Sequence, residues 1–291
     1  MKEDKSSMRL IHDKCETFFR EGAVRMNVRE IIAVKNSRKL SMVTAFSYFD
    51  AKFAFEAGID MILVGDSLGT YVMGKKDTLS VTMDEMIWSL KAVRRGAKDG
   101  FIIADMPFGS YQQSREKAVE NAIAFLRHGA NALKIEGGYE TAELIKYLVD
   151  RGFPVMGHVG ITPHHASLEG TYQVQGKDEK SIKRLIESGR NLEEAGVFAI
   201  LLELVVEEVA GKLTQESSVP VLGLGSGRFC DGQFLKWHDL LGINDETEPR
   251  YVKKYANLKE NIVSALKNFD RDVKEGKFPV EYHAFGGGEE V

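Results

Sequence analysis

Short apolar runs alternate with longer amphipathic stretches along most of this 291-residue chain, and that alternation limits the fold more than any other feature. The runs lie at 41–46, 60–64, 100–104, 131–135, 153–157, 198–202, 219–223 and 234–238. Each has the length of a strand, and most are apolar on both faces, as strands covered by helices are. Between them the spacing is helical over 49–57, 83–96, 114–127, 139–150, 179–195 and 206–215, and a long charged helix is expected over about 250–275. Strands that alternate with helices make a parallel sheet with right-handed crossovers. Eight of them can close into a barrel, and an open doubly wound sheet is the rival that periodicity does not exclude. The expected fold class is α/β, a (β/α)8 TIM barrel with an N-terminal helical extension.

No Pro/Gly/Ser-rich linker interrupts the repeat, so 25–285 is read as one catalytic domain. Residues 1–24 precede it. Met8, Ile11, Cys15, Phe18 and Phe19 recur there at near-helical spacing, which fits a helix packed on the barrel or on a neighbouring subunit. Residues 286–291 are read as a flexible tail. Hydrophobic residues at 43% and charged residues at 28% belong to a soluble globular chain. A net charge of −4 argues against nucleic acid or an acidic membrane as partner. Two cysteines are too few for a disulfide framework or a cysteine zinc cage, which points to a reducing compartment. No apolar run approaches the ~18 residues of a membrane span, and the N-terminus lacks a signal core. A cytoplasmic location is expected.

Active sites of β/α folds sit at the C-terminal ends of the strands. The run 60–64 is followed by Asp66 and Ser67, and 100–104 by Asp105. The run 131–135 carries Lys134 and leads into Glu136, 153–157 leads into His158, and 198–202 into Glu203. Singly, each has an ordinary explanation. Asp66 and Ser67 can cap a turn, Asp105 can be a turn acid, and His158 a structural histidine. Glu203 is harder to dismiss, because a carboxylate inside Ala-Ile-Leu-Leu-Glu-Leu-Val-Val is paired, metal-bound or kept for a raised pKa. Lys134 and Glu136 have the same parity on a strand and share a face. Ionisable residues gathered on one rim are the strongest functional signal.

Aspartates and a glutamate without a cysteine or histidine cluster are hard oxygen donors, suited to Mg²⁺. Such a site suits a 2-keto acid that chelates through two oxygens, with Lys134 neutralising negative charge and Glu203 removing the proton α to the carbonyl. Other features are weaker. Gly223-Leu-Gly-Ser-Gly227 lacks the third glycine of a dinucleotide fingerprint and is a loop at the site or plain turn chemistry. His164-His165 is read as loop, Lys75-Lys76 and Arg94-Arg95 as solvated faces, and nothing near Cys230 argues for reactivity.

The segments Val64-Gly-Asp-Ser-Leu-Gly69, Ala104-Asp-Met-Pro-Phe108, Lys134-Ile-Glu-Gly-Gly138, Gly157-His-Val-Gly-Ile-Thr-Pro163, Leu202-Glu203 and Cys230-Asp-Gly-Gln233 stand in an order that resembles the ketopantoate hydroxymethyltransferase family. The similarity runs from about Val28 to Phe285. It implies a barrel of the phosphoenolpyruvate/pyruvate type. It also implies a homo-oligomer (a decamer), Mg²⁺ as cofactor, and 5,10-methylenetetrahydrofolate as co-substrate for a hydroxymethyl transfer to 3-methyl-2-oxobutanoate. By motif position, the metal-site acids are Asp66, Asp105 and Glu136, and the keto-acid contacts are Asp66, Ser67, Asp105 and Lys134. Glu203 is the proton acceptor, with Lys134 and His158 beside it in the catalytic set. The chain departs from the family pattern at Phe46, Ser47, Ser89 and Leu204 among others. Two alternatives therefore stay open: a related Mg²⁺-dependent 2-keto acid aldolase or lyase, and a non-catalytic oligomeric paralogue.

Overall fold

A computed structural model describes residues 26–165, 173–244 and 249–285. The extension expected over 1–24 and the tail 286–291 lie outside the described residues. The described chain divides into two compact units, one ending at Leu235 and the other beginning at Lys236.

In the first unit, eight parallel strands close on themselves in sequence order, β8 returning to pair with β1. They are β1 Leu40–Thr44, β2 Met61–Val64, β3 Phe101–Asp105, β4 Ala132–Glu136, β5 Val155–Gly160, β6 Ala199–Glu203, β7 Val221–Leu224 and β8 Gly232–Leu235. Closure decides for the barrel over the open sheet. The helices of this unit are α1 Val28–Ala33, α2 Tyr48–Glu56, α3 Leu68–Tyr71, α4 Met83–Gly96, α5 Arg115–Arg127, α6 Tyr139–Val149, α7 Glu179–Glu194 and α8 Glu207–Glu216. Strands β2, β3, β4 and β6 are buried along their whole length. That is why their sequences read as apolar runs without alternation. Several helices start where side chains satisfy their free N–H groups: Thr82 and Glu85 form a capping box at α4, and Asp178 caps α7. Met86, Leu90 and Val93 turn α4 inward. Gly96 lets α4 approach α2, since a Cβ there would stand 2.1 Å from the Tyr48 carbonyl oxygen.

Several boundaries differ from the sequence expectation. Strand β8 is Gly232–Leu235 rather than 234–238, because its ladder with β1 runs from Leu40↔Gly232 to Val43↔Leu235 and Trp237 already begins a helix. A Cβ at Gly232 would stand 2.6 Å from the Leu40 carbonyl oxygen, so a residue that looks like a strand breaker opens the strand. Strand β5 continues to Gly160 through pairing with Glu203. The short helix α3 was not anticipated.

The expectation that Arg94 lies on a solvated face is corrected. Its guanidinium donates to the carbonyls of Gly129, Ala97, Lys98 and Gly100 and, at 2.6 Å, to Asn131 Oδ1. Carbonyls left over where helices end are strong acceptors, and one planar fork satisfies several. Lys75 is likewise paired, with Glu85 at 2.8 Å. Lys35 and Asp231 form a buried ion pair at 2.7 Å.

The second unit contains α9 Trp237–Leu240, α10 Leu258–Lys274 and a 3-10 turn at Glu281–His283. The long helix starts at Leu258 rather than near 250. Its first N–H donates to the Leu241 carbonyl at 3.0 Å, which ties it to the end of α9. Among the described residues no helix is long and apolar enough to cross a membrane.

Candidate active site

Strand β3 ends on Asp105, β4 on Glu136 and β6 on Glu203, and His158 lies within β5. Register decides which of them meet. Asp105 pairs with Lys134 across β3 and β4, Glu136 with His158 across β4 and β5, and Gly160 with Glu203 across β5 and β6. The Lys134 Nζ lies 2.5 Å from Asp105 Oδ1 and 3.2 Å from Glu136 Oε1. His158 spans the next gap, with Nδ1 3.6 Å from Glu136 Oε1 and Nε2 3.4 Å from Glu203 Oε2. Both nitrogens are buried, and neither closes a hydrogen bond.

Asp66 and Ser67 lie just past β2. Ser67 precedes α3 without a capping hydrogen bond, and the Asp66 carboxylate is used elsewhere. Its Oδ2 lies 2.8 Å from Nε2 of His164, and its N–H donates to Asp105 Oδ2 at 3.2 Å. His164, read from sequence as loop, belongs to the rim. It sits in a 3-10 turn after β5, and its N–H donates to Glu136 Oε2 at 3.0 Å. Its Nδ1 lies 3.0 Å from the Tyr111 hydroxyl, which also donates to the Glu136 carbonyl at 3.1 Å. Asp66, Glu136 and His164 each offer a ligand atom within 4.8 Å of the others. The acids expected to share a metal were Asp66, Asp105 and Glu136. Asp105 stands beside this cluster, with one oxygen held by Lys134 and the other by the Asp66 N–H. The signal that could have found His164 is its position: it follows β5 on the rim where the acids follow their strands.

Four carboxylates, Asp66, Asp105, Glu136 and Glu203, are buried here around one ammonium, Lys134. The imbalance shows in their protonation. Burial pushes Asp105 up to about 7; Lys134 opposes this, while Asp66 and Glu136 add to it. Burial also resists ionisation of Glu136, but Lys134 and both histidines overcome it and hold that carboxyl well below the usual range. Lys134 keeps its charge despite burial, because Asp105, Glu136 and Asp66 surround it. Burial opposes protonation of His164, and Asp66 and Glu136 outweigh it, so its pKa is raised. A buried excess of negative charge with a carboxylate–carboxylate–imidazole donor set fits a divalent cation.

Glu203 is aimed by its neighbours. Leu204 takes φ +52°, a left-handed conformation that costs an ordinary residue about 1–2 kcal/mol. Its N–H donates to the Leu224 carbonyl, and its own carbonyl accepts from the Gln175 N–H, each at 2.8 Å. The buried Ser226 hydroxyl donates to the Leu202 carbonyl at 2.9 Å and accepts from the Val205 N–H at 3.1 Å, so it grips the chain on both sides of Glu203. The glycine-rich run is thus turn chemistry that serves β6, with Gly225 and Gly227 at positive φ. Gly160 makes room, since a Cβ there would stand 2.2 Å from the Glu203 carbonyl oxygen. Three departures from the family pattern are taken up by the fold. Ser89 donates to the Phe46 carbonyl at 2.8 Å, both residues being buried, and Ser47 caps α2. Cys230 is buried, and burial pushes its thiol up.

A closed β/α barrel with buried acids, one lysine and two histidines on its C-terminal rim defines a β/α-barrel enzyme. Solved structures share the fold: a phosphonopyruvate hydrolase (TM-score 0.59, 15% identity, 90% of this chain and 92% of that one) and a 2,3-dimethylmalate lyase (0.56, 14%, 89% and 91%). Residues 25–281 match the family described as ketopantoate hydroxymethyltransferase, and the chain belongs to that family. It is 62% identical over 263 residues to the 3-methyl-2-oxobutanoate hydroxymethyltransferase of Kosmotoga olearia, covering 90% of this chain and 98% of that one. To the enzyme of the same name from Thermotoga maritima it is 57% identical over 260 residues, covering 89% and 96%.

Proposed function

We propose that this chain transfers a hydroxymethyl group from 5,10-methylenetetrahydrofolate to 3-methyl-2-oxobutanoate, giving ketopantoate. The observation that carries the proposal is the row of buried groups Asp105, Lys134, Glu136, His158 and Glu203, each within 3.6 Å of the next, on the rim of a barrel of this family. Asp66 and Glu136 would hold a divalent cation, and the hard carboxylates suit Mg²⁺. When bound, that ion polarises the keto group and offsets charge on its oxygen. Lys134 supplies a fixed positive charge toward the substrate carboxylate or the developing oxyanion, and Ser67 and Asp105 line the same place. Glu203 takes the proton from C3 of the keto acid. His158, lying against Glu203, orients the carboxylate and shares its charge once the proton moves on. Water adds to the methylene carbon of the folate as its two C–N bonds break and tetrahydrofolate departs with the protons of that water. The C3 carbanion attacks the resulting formaldehyde carbon, whose oxygen takes up a proton to become the hydroxyl. A cytoplasmic homo-oligomer, a decamer, is part of the same proposal; the exposed aromatic side chains Phe49, Phe53 and Trp88 in the first unit support a contact between subunits.

The test follows the C3 proton of 3-methyl-2-oxobutanoate by NMR in D₂O, with and without the folate. Cation-dependent exchange without folate and ketopantoate formation with it are expected. Exchange without product would point to an electrophile other than the folate, and the absence of both exchange and product would overturn the proposal.

A further inference from the structure

We infer that His164 is a nitrogen ligand of the cation held by Asp66 and Glu136, and that it turns an all-oxygen site into one favouring borderline first-row ions. The inference rests on the cation site proposed above and names a ligand and a metal preference for it.

The His164 side chain is fully buried, and its Nε2 points at Asp66 Oδ2 from 2.8 Å. The opposite pole of the ring is already provided for. The single Tyr111 hydroxyl proton has two acceptors within reach, the Glu136 carbonyl at 3.1 Å and His164 Nδ1 at 3.0 Å. When the carbonyl takes it, the phenol oxygen accepts from Nδ1–H. A neutral ring with its proton on Nδ1 presents a bare lone pair at Nε2, which faces a carboxylate oxygen. Two acceptors 2.8 Å apart need a proton or a cation between them. A metal-bound imidazole characteristically donates its other N–H to an outer partner in this way, and Tyr111 is that partner.

The turn that carries His164 is tied to the same cluster, since its N–H holds Glu136 Oε2 at 3.0 Å. Phe108 packs edge to face against the imidazole, ring centroids 5.8 Å apart. These contacts position the ring for one task. A histidine that only buttressed Asp66 by a hydrogen bond would leave the metal preference untouched. A ligating one shifts it, because imidazole suits iron, nickel and zinc, with cobalt between iron and nickel in the affinity order, while carboxylates and water suit magnesium.

The experiment uses the full chain, stripped of metal and reloaded with Mn²⁺, and reads nitrogen hyperfine coupling by pulsed EPR. Coupling is expected in the wild type and in His158→Gln, and is expected to vanish in His164→Gln. Calorimetry with Co²⁺ and Mg²⁺ should show the preference for cobalt falling about tenfold or more in His164→Gln. Bound Mn²⁺ without nitrogen coupling, or coupling that survives in His164→Gln, overturns the role of His164 and leaves the cation site standing. A wild-type protein that binds no Mn²⁺ overturns the site and the inference together. Should His164→Gln fail to fold, Tyr111→Phe removes the Nδ1 partner and keeps the ring. Its coupling frequency is expected to shift, and an unchanged one counts against ligation.

Discussion

Nε2 of His158 lies 3.4 Å from Glu203 Oε2, while its Nδ1 faces Glu136 Oε1 across 3.6 Å. One imidazole thereby joins the acid at the end of β6 to the acid of the cation cluster. Burial and Lys134 oppose protonation of His158, yet Glu136 and Glu203 outweigh them and its pKa is raised. If Glu203 is the base, Glu203→Gln keeps the shape and removes the proton acceptor. C3 exchange should fall by about 10²–10⁴-fold, the usual share of a general base. Mn²⁺ affinity should change little, because Glu203 is outside the Asp66–Glu136–His164 cluster. Undiminished exchange would remove Glu203 from the mechanism.

Among the described residues, Lys134 is the one ammonium buried with the four acids. Lys134→Met would keep the stem and leave Asp105 and Glu136 without their partner. Breaking one side of a buried ion pair costs about 3–5 kcal/mol, since the remaining charge stays desolvated. Urea unfolding of metal-free protein should show a loss of that size, and keto-acid binding should fail as well. A loss below about 1 kcal/mol would mean that Asp105 takes up a proton at no great cost.

Ser226 touches no reacting group in the proposed mechanism, yet it grips both flanks of Glu203. Ser226→Ala strands the buried Val205 N–H, which costs about 1–3 kcal/mol. It also frees Leu204 to leave its positive φ. The expected result is a fall in kcat with KM for the keto acid unchanged, as for a positioning residue. A variant that loses only thermal stability would limit Ser226 to the fold.

Strands β2, β3, β4 and β6 are legible because they are buried along their whole length and read as near-continuous apolar runs, whereas their closure into a barrel leaves no mark on periodicity. Strand β8 was placed two residues late because it opens on Gly232, where backbone approach and not side-chain pattern decides. Lys134 and Glu136 could be put on one face from parity alone, since both lie on β4. His164 could not, because a 3-10 turn carries no period that announces where a side chain will point. The pairing of Arg94 is hidden for a related reason: its partners are mostly backbone carbonyls, which leave no mark on the sequence.

Asp60 gives a pH dependence away from the site. Burial opposes its ionisation, but Arg38 at 2.7 Å and the Ser41 N–H at 2.9 Å outweigh that, and its pKa is lowered. A carboxyl whose folded pKa lies below its unfolded value, about 3.9, binds fewer protons when folded. Its contribution is therefore complete above that value and is lost as pH falls through the folded pKa. Arg38 is nearly half exposed, so solvent screens the ion pair, and the hydrogen bonds carry most of the effect. Asp60→Asn should cost about 1 kcal/mol at pH 7. In urea unfolding measured from pH 7 down to about 3, the gap between the two proteins should narrow steadily below pH ~4. A gap that stays constant over this range would assign the loss to packing of the amide rather than to the charge that Asp60 carries.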